Sequence, residues 1–179
     1  MLNANDVLLL IVDIQGKLAQ LMHEKERLFQ NLQMLIRGSR ILEVPILWME
    51  QNPGGIGPTI PEIAGLLPDI TPISKMSFSC CQNTAFVKAL SELKRRQVLI
   101  AGIETHICVY QTAVDLIDMG YAVHVVADAV SSRTEENKHI GLRKMGDAGA
   151  TWTSVETVLF ELLRVAEGDQ FKAMLKIVK

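Results

Sequence analysis

The sequence predicts an α/β domain, a Rossmann-like three-layer αβα sandwich built around a six-stranded, mostly parallel sheet. Two observations predict it. Apolar runs of strand length, such as Val7 to Val12 and Val98 to Ala101, are continuous rather than alternating, as in strands covered on both faces. Segments with apolar residues at helical spacing separate these runs, so strand and helix alternate six times.

Val7 to Val12 is the first strand, and Asp13 follows it directly. Leu28, Leu32, Leu35, Ile36, Ser39 and Leu42 recur at helical spacing, which predicts an amphipathic helix from about Lys25 to Leu42 on one face of the sheet. Pro45 opens a second strand, Ile46 to Met49. From Glu50 to Pro72, prolines and glycines punctuate a long connection with one short helical turn near Ile63, and connections of this length in a compact domain often carry function. Its Gly54-Gly55-Ile56-Gly57 cluster follows Asn52-Pro53 rather than a strand and lacks the spacing of a phosphate cradle. Ile73-Ser74-Lys75 marks the third strand or its end, and Asn83 can cap a helix carrying Phe86, Leu90 and Leu93.

Val98 to Ala101 is the fourth strand, followed by a tight turn and a helix starting near His106. That helix carries Val109, Thr112, Ala113, Leu116 and Ile117 and stops at Gly120. A fifth strand, Ala122 to Ala127, ends at Asp128. Ser131 to Thr134 offers caps for a helix through about Ala148, Ala150 to Thr153 is a short last strand, and Ser154 caps a helix with Val155, Val158, Leu159 and Leu162 on one face. Asp169 can start a final short helix. With no internal repeat or low-complexity segment, residues 1–179 are expected to form one domain.

Composition narrows the partners. A formal net charge of -2 and the lack of any basic block beyond Lys94-Arg95-Arg96 argue against nucleic acid or an anionic membrane surface. The first apolar run is broken by Asp13 long before it could span a bilayer and has no basic flank, so a cytoplasmic protein with no membrane partner is expected. Three cysteines, two of them adjacent at Cys80 and Cys81, make a poor disulfide framework and fit a reducing compartment.

In an open parallel sheet, sites form beyond the carboxyl ends of strands where the winding reverses. Asp13 and Cys108 both follow strand ends, and they face each other if strands one and four are neighbours; Lys75 can reach the same crevice from the third strand. A thiol in the first turn of a helix is expected to have a lowered pKa, and the free N–H groups there can receive a developing oxyanion. Asp13 would take the thiol proton, Lys75 would favour the charged state, and Cys108 would attack a carbonyl. Plainer roles also exist: an apolar-context cysteine is commonly a small buried hydrophobe, a strand-end aspartate also caps turns, and a lysine also suits a solvated surface. Glu104, His106 and Cys108 alternate like metal ligands on a strand, but a helix beginning near His106 would separate them, so no metal and no cofactor is expected. Gln51, His106 and Trp48 are candidates for a substrate pocket. Cys80 and Cys81 follow no long core strand and read better as packed or loop cysteines, and His23, His124 and His139 have no recognisable acidic or thiol partner.

Three motifs in order, Val12-Asp13-Ile14-Gln15, Lys75-Met76-Ser77-Phe78 and Gly102-Ile103-Glu104-Thr105-His106-Ile107-Cys108-Val109, resemble the isochorismatase-like cysteine hydrolase superfamily. The likeness spans roughly Val7 to Leu163 and is nearest to the isochorismatase domain-containing branch. It implies an Asp-Lys-Cys triad of Asp13, Lys75 and Cys108, a non-proline cis peptide at Ile103-Glu104, and an oxyanion hole from the backbone N–H groups of Glu104 and Cys108. The implied activity is cleavage of a C–N bond in a small amide through a thioester. Members of the family commonly associate, so a homo-oligomer is expected, with the terminal stripe of Phe171, Met174, Leu175 and Val178 as a candidate surface. Nicotinamidases of the superfamily hold a metal through an aspartate and two histidines after the second strand, whereas Trp48 to Pro72 contains no histidine. The alternatives are a metal-dependent nicotinamidase-like amidase and a non-catalytic or regulatory oligomer of the same fold.

Overall fold

The computed structural model describes residues 1–178 and places β1 (Val7–Val12), β2 (Ile46–Gln51), β3 (Ile73–Lys75), β4 (Gln97–Ile103), β5 (Ala122–Ser131) and β6 (Thr151–Thr153) in one sheet. Their order is β3-β2-β1-β4-β5-β6, and every neighbouring pair is parallel. The winding therefore reverses between β1 and β4, which run side by side from Val7 opposite Gln97 to Val12 opposite Gly102.

Every residue of β1 is buried, and alternation sends its side chains into two cores. Val7, Leu9 and Ile11 pack with Leu28, Leu32, Leu35 and Ile36 of α2 (Lys25–Ile41) and with α8 (Val155–Leu163). Leu8, Leu10 and Val12 pack on the other face with α5 (Thr84–Leu93), α6 (Tyr110–Asp118) and α7 (Glu135–Asp147). Each fully buried aliphatic side chain contributes roughly 1.5–3 kcal/mol, so a central strand apolar on both faces is well suited to anchor the sheet. Asn83, Thr134 and Ser154 cap α5, α7 and α8 with their side chains, as their sequence positions predict.

The differences from expectation have physical causes. β2 continues to Gln51 because Glu50 and Gln51 pair with Ser74 and Lys75 of β3. β5 runs on to Ser131 through a bulge, with Ile100 opposite Val125 but Gly102 opposite Val130. Asp128 lies within that bulge; its carbonyl accepts from Asn31 Nδ2 at 2.7 Å and its carboxylate from the Val155 N–H at 2.9 Å. The segment after Asp13 forms a short helix, α1 (Gly16–Gln20), and the long connection after β2 contains two, α3 (Pro53–Ile56) and α4 (Pro61–Ala64). In α9 (Gly168–Leu175), Met174 is fully buried and Phe171 and Val178 pack on the protein's own core, so most of the terminal stripe expected to serve association closes the monomer, while Leu175 stays exposed. Among the described residues no helix is long and apolar enough to cross a membrane.

Candidate active site

Asp13, at the end of β1, adopts a positive φ of 55° and is almost fully buried. Lys75, at the end of β3, is buried as deeply, and its ammonium donates to Asp13 Oδ2 at 2.7 Å, to Gln51 Oε1 at 2.7 Å and to the carbonyls of Phe78 and Ser77 at 3.1 and 3.2 Å. Removing a charge from water is costly unless it is paired and bonded, and this nitrogen is both.

The third element arrives from β4. At Gly102, with φ +124°, a Cβ would lie 2.1 Å from the Val12 carbonyl oxygen, so only glycine lets this strand end lie against β1. The following Ile103–Glu104 peptide is cis, and the chain then enters a π-helical turn, Thr105–Val109, before α6. The helix thus begins with a wider turn than expected, and Cys108 sits inside it, 7% exposed. The turn is braced from outside. The Glu104 carboxylate accepts from the Arg133 N–H and Nε, each at 3.1 Å, His106 Nδ1 lies 3.0 Å from Ser132 Oγ, and α7 presses Gly141 against the backbone of Thr105 and His106.

Asp13, Gln15, Gln51, Glu104 and Cys108 line one cavity of about 90 Å³, walled elsewhere by apolar side chains. Lys75 lies beneath this lining and touches it through Asp13 and Gln51. Trp48 does not reach it. Strand parity turns Trp48 to the opposite core, where its Nε1 donates to Thr59 Oγ1 at 2.8 Å. His106 is also outside the lining, held by Ser132 on the far side of the turn. Gln15 is the residue the sequence reading missed: fully buried, it accepts from the Gln51 N–H at 2.6 Å and donates to the carbonyls of Gln51 and Gly57 at 3.0 and 2.7 Å. Its signal was a polar side chain two positions after the catalytic candidate at a buried strand end.

The electrostatics correct one expectation. Burial raises the Asp13 carboxyl above its usual range, against the lowering pull of Lys75. The Cys108 thiol, expected to be depressed, is pushed up to about 12, first by burial and then by the negative charge of Asp13, with Lys75 opposing. A helix terminus favours an anion by about 0.3–1 kcal/mol, under one pKa unit, whereas burial shifts such groups by up to about 3–5 units. At rest the Cys108 thiol is therefore neutral, beside an Asp13 carboxyl that burial holds above its usual range. Among the described residues Asp13 Oδ1 is buried with no hydrogen-bond partner, and the neighbouring Cys108 thiol lies close enough to lower the Asp13 carboxyl.

A base with an open oxygen, a thiol next to it and an immobilised ammonium behind both can deprotonate and deliver a nucleophile. Cys80 and Cys81 lie outside the cavity lining; Cys80, although near both Lys75 and Asp13, is fully buried and burial pushes its thiol up, while Cys81 is pushed up to about 11. Among the described residues no three His, Cys, Asp or Glu side chains are grouped to hold a metal ion. A larger, more open cavity of about 290 Å³, between His23, Lys138 and Trp152, contains no thiol.

Residues 7–157 match the isochorismatase domain family model. Isochorismatase domain-containing protein 2A of Mus musculus is 37% identical over 173 residues, covering 96% of this chain and 82% of its own. Among solved structures, the MAR1 ribonuclease of Caenorhabditis elegans superposes with a TM-score of 0.92 at 35% identity, covering 99% of this chain and 91% of that one. Two YcaC structures superpose with a TM-score of 0.93. That of Pseudomonas aeruginosa, described with covalent acrylamide, is 27% identical and covers 98% of this chain and 90% of that one. That of Escherichia coli, described as an octameric hydrolase of unknown specificity, is 29% identical and covers 98% and 88%.

Proposed function

Because the chain belongs to the isochorismatase domain family of hydrolases, we propose that it is a cysteine hydrolase that cleaves a C–N bond of a small amide, with Cys108 as nucleophile, Asp13 as proton shuttle and Lys75 as fixed countercharge. What supports this reading is the buried Asp13 carboxyl, with Oδ2 tied to Lys75, Oδ1 without a hydrogen-bond partner among the described residues, and the Cys108 thiol close enough to the carboxyl to lower it.

In the proposed cycle Cys108 Sγ bonds to the amide carbon as its proton passes to Asp13 Oδ1. A carboxyl held above its usual range suits this exchange near neutral pH. The carbonyl oxygen, now negative, faces the backbone N–H groups of Glu104 and Cys108. Collapse breaks the C–N bond while Asp13 returns the proton to the leaving nitrogen. Water then attacks the thioester, giving its proton to Asp13, and the carboxylic acid leaves as the thiol reforms. Because the thiol is neutral at rest, its deprotonation belongs to the reaction itself and not to the free enzyme.

No metal or organic cofactor enters this scheme. The three free cysteines suit a reducing cytoplasm, and the octameric YcaC relative supports a homo-oligomer. The Caenorhabditis elegans neighbour is named a ribonuclease, but a net charge of -2 with Lys94-Arg95-Arg96 as the one basic cluster in the sequence argues against a nucleic-acid substrate, so nucleic acid stays outside the proposal. A screen of small amides for amine or ammonia release, coupled to mass mapping, tests the scheme. The expected result is a transient acyl mass on the Cys108 peptide; turnover retained by Cys108→Ala overturns it.

A further inference from the structure

The walls of the cavity say more than its floor about what enters. Beyond the polar floor of Asp13, Gln51 and Cys108, with Gln15 and Glu104 at its margin, the walls are the apolar Leu18, Ile56, Phe78, Ile103 and Ile107. The charges nearby are already committed. Lys75 is buried beneath four acceptors, and the Glu104 carboxylate is bonded twice to Arg133. No cation is therefore left in the lining to receive an anionic substrate group, and Asp13 repels one. A cationic group would meet two carboxylates, each already paired, Asp13 with Lys75 and Glu104 with Arg133, and pairing at Asp13 would occupy the oxygen that must take the thiol proton. Size is a second limit: a cavity of about 90 Å³ accommodates on the order of six to nine heavy atoms. Known drug-sized sites span roughly 300–1,000 Å³.

We infer that this site selects uncharged amides with a compact, apolar acyl group, the carboxamide on the Asp13–Gln51–Cys108 floor and the acyl chain against Leu18, Ile56, Phe78 and Ile107. The inference rests on the hydrolase reading above for the word amide, but the selectivity for neutral, compact groups is a property of the cavity alone. Covalent acrylamide on the Pseudomonas aeruginosa relative, a small uncharged amide, is in keeping with it.

Two measurements separate the selectivity from the hydrolase reading. In the first, Cys108 is alkylated with iodoacetamide and with iodoacetate, and the ratio of rates is divided by the same ratio for glutathione. A preference for the neutral reagent of about three- to tenfold is expected, the effect of one like charge several ångströms away at an effective dielectric of about 20, offset in part by Lys75 behind it. Phe78→Arg places a cation at the exposed mouth and should shrink that preference. A normalised ratio near one in the parent protein overturns the inference. In the second, butanamide, succinamic acid and 4-aminobutanamide are compared as substrates. Comparable kcat/KM for all three overturns the inference and leaves the hydrolase reading standing. Hydrolysis of none of these and of none of the screened small amides, with the alkylation preference intact, removes the hydrolase reading and leaves the selectivity of the cavity standing.

Discussion

Replacing Lys75 with Met keeps most of the side-chain volume but removes the one buried ammonium that faces Asp13. Breaking a buried ion pair from one side leaves an uncompensated charge and costs about 3–5 kcal/mol. That cost depends on the charge state of Asp13, whose carboxyl in the folded protein already lies above 3.8 because of burial. Lys75 is the main influence holding it down, so Lys75→Met raises it further. A carboxyl that binds its proton more readily when folded makes stability fall as pH rises from about the unfolded value through the folded one. At the acid end of that window Asp13 is neutral and needs no countercharge; what remains is the loss of bonds to Gln51 Oε1 and the carbonyls of Ser77 and Phe78, about 1–3 kcal/mol. The destabilisation by Lys75→Met should therefore grow by about 2 kcal/mol as pH rises from near 3.8 through the range in which the folded Asp13 ionises. Urea unfolding of parent and variant across that range, with equal m-values, measures it. A destabilisation that does not change with pH would mean that Asp13 is not a charged partner of Lys75, and the electrostatic account of the site would fall with it.

Asp13→Asn removes the base, so acylation of Cys108 should drop by about 10²-fold or more. At the same time the like charge disappears, and the Cys108 thiolate titration, followed by ultraviolet absorbance with Cys80 and Cys81 replaced by Ser, should move down from about 12; an unmoved midpoint contradicts the assigned cause. Gly141→Ala would place a Cβ 2.7 Å from the His106 nitrogen and the Thr105 carbonyl, displacing the turn that carries Cys108. A misplacement of about 1 Å costs on the order of 10² in rate, so kcat should fall while Gly54→Ala, which meets nothing within 4 Å, serves as the unaffected control. Exhaustive chelation should leave turnover unchanged; activity lost and then restored by zinc, manganese or iron would revive the nicotinamidase-like alternative.

The fold was legible because burial on both faces writes itself into consecutive residues. Val7 to Val12 and Val98 to Ala101 need no partner to be recognised, and their adjacency followed from the reversal of winding. The bulge in β5 was not legible, since Asp128 looks like the end of a strand until Asn31 and the Val155 N–H are seen to satisfy it in place. Asp13, Lys75 and Cys108 were visible by their chemistry at strand ends, but the sign of the Cys108 shift was not. Local sequence exposes a helix terminus, while burial and the distance to a carboxylate are tertiary quantities. The pocket walls were the least readable part: Leu18, Ile56 and Ile107 are apolar residues among many, and Trp48 was sent to the wrong side by nothing more than strand parity.

The side-by-side placement of β1 and β4 also governs when this site can exist during synthesis. Asp13 and Lys75, 62 residues apart, emerge from the ribosome together with the β1–β2–β3 half of the sheet, whereas Gly102 and Cys108 follow later. Until β4 arrives, the inner edge of β1 is an open row of backbone donors and acceptors flanked by apolar side chains, the kind of edge that pairs with whatever strand is nearest. Loop closure over such distances is slow compared with local structure. A nascent chain of this protein therefore passes through a period in which Asp13 and Lys75 are present, Cys108 is absent, and the most apolar strand edge is exposed, so its dependence on chaperones should be greatest before residue 103 leaves the ribosome.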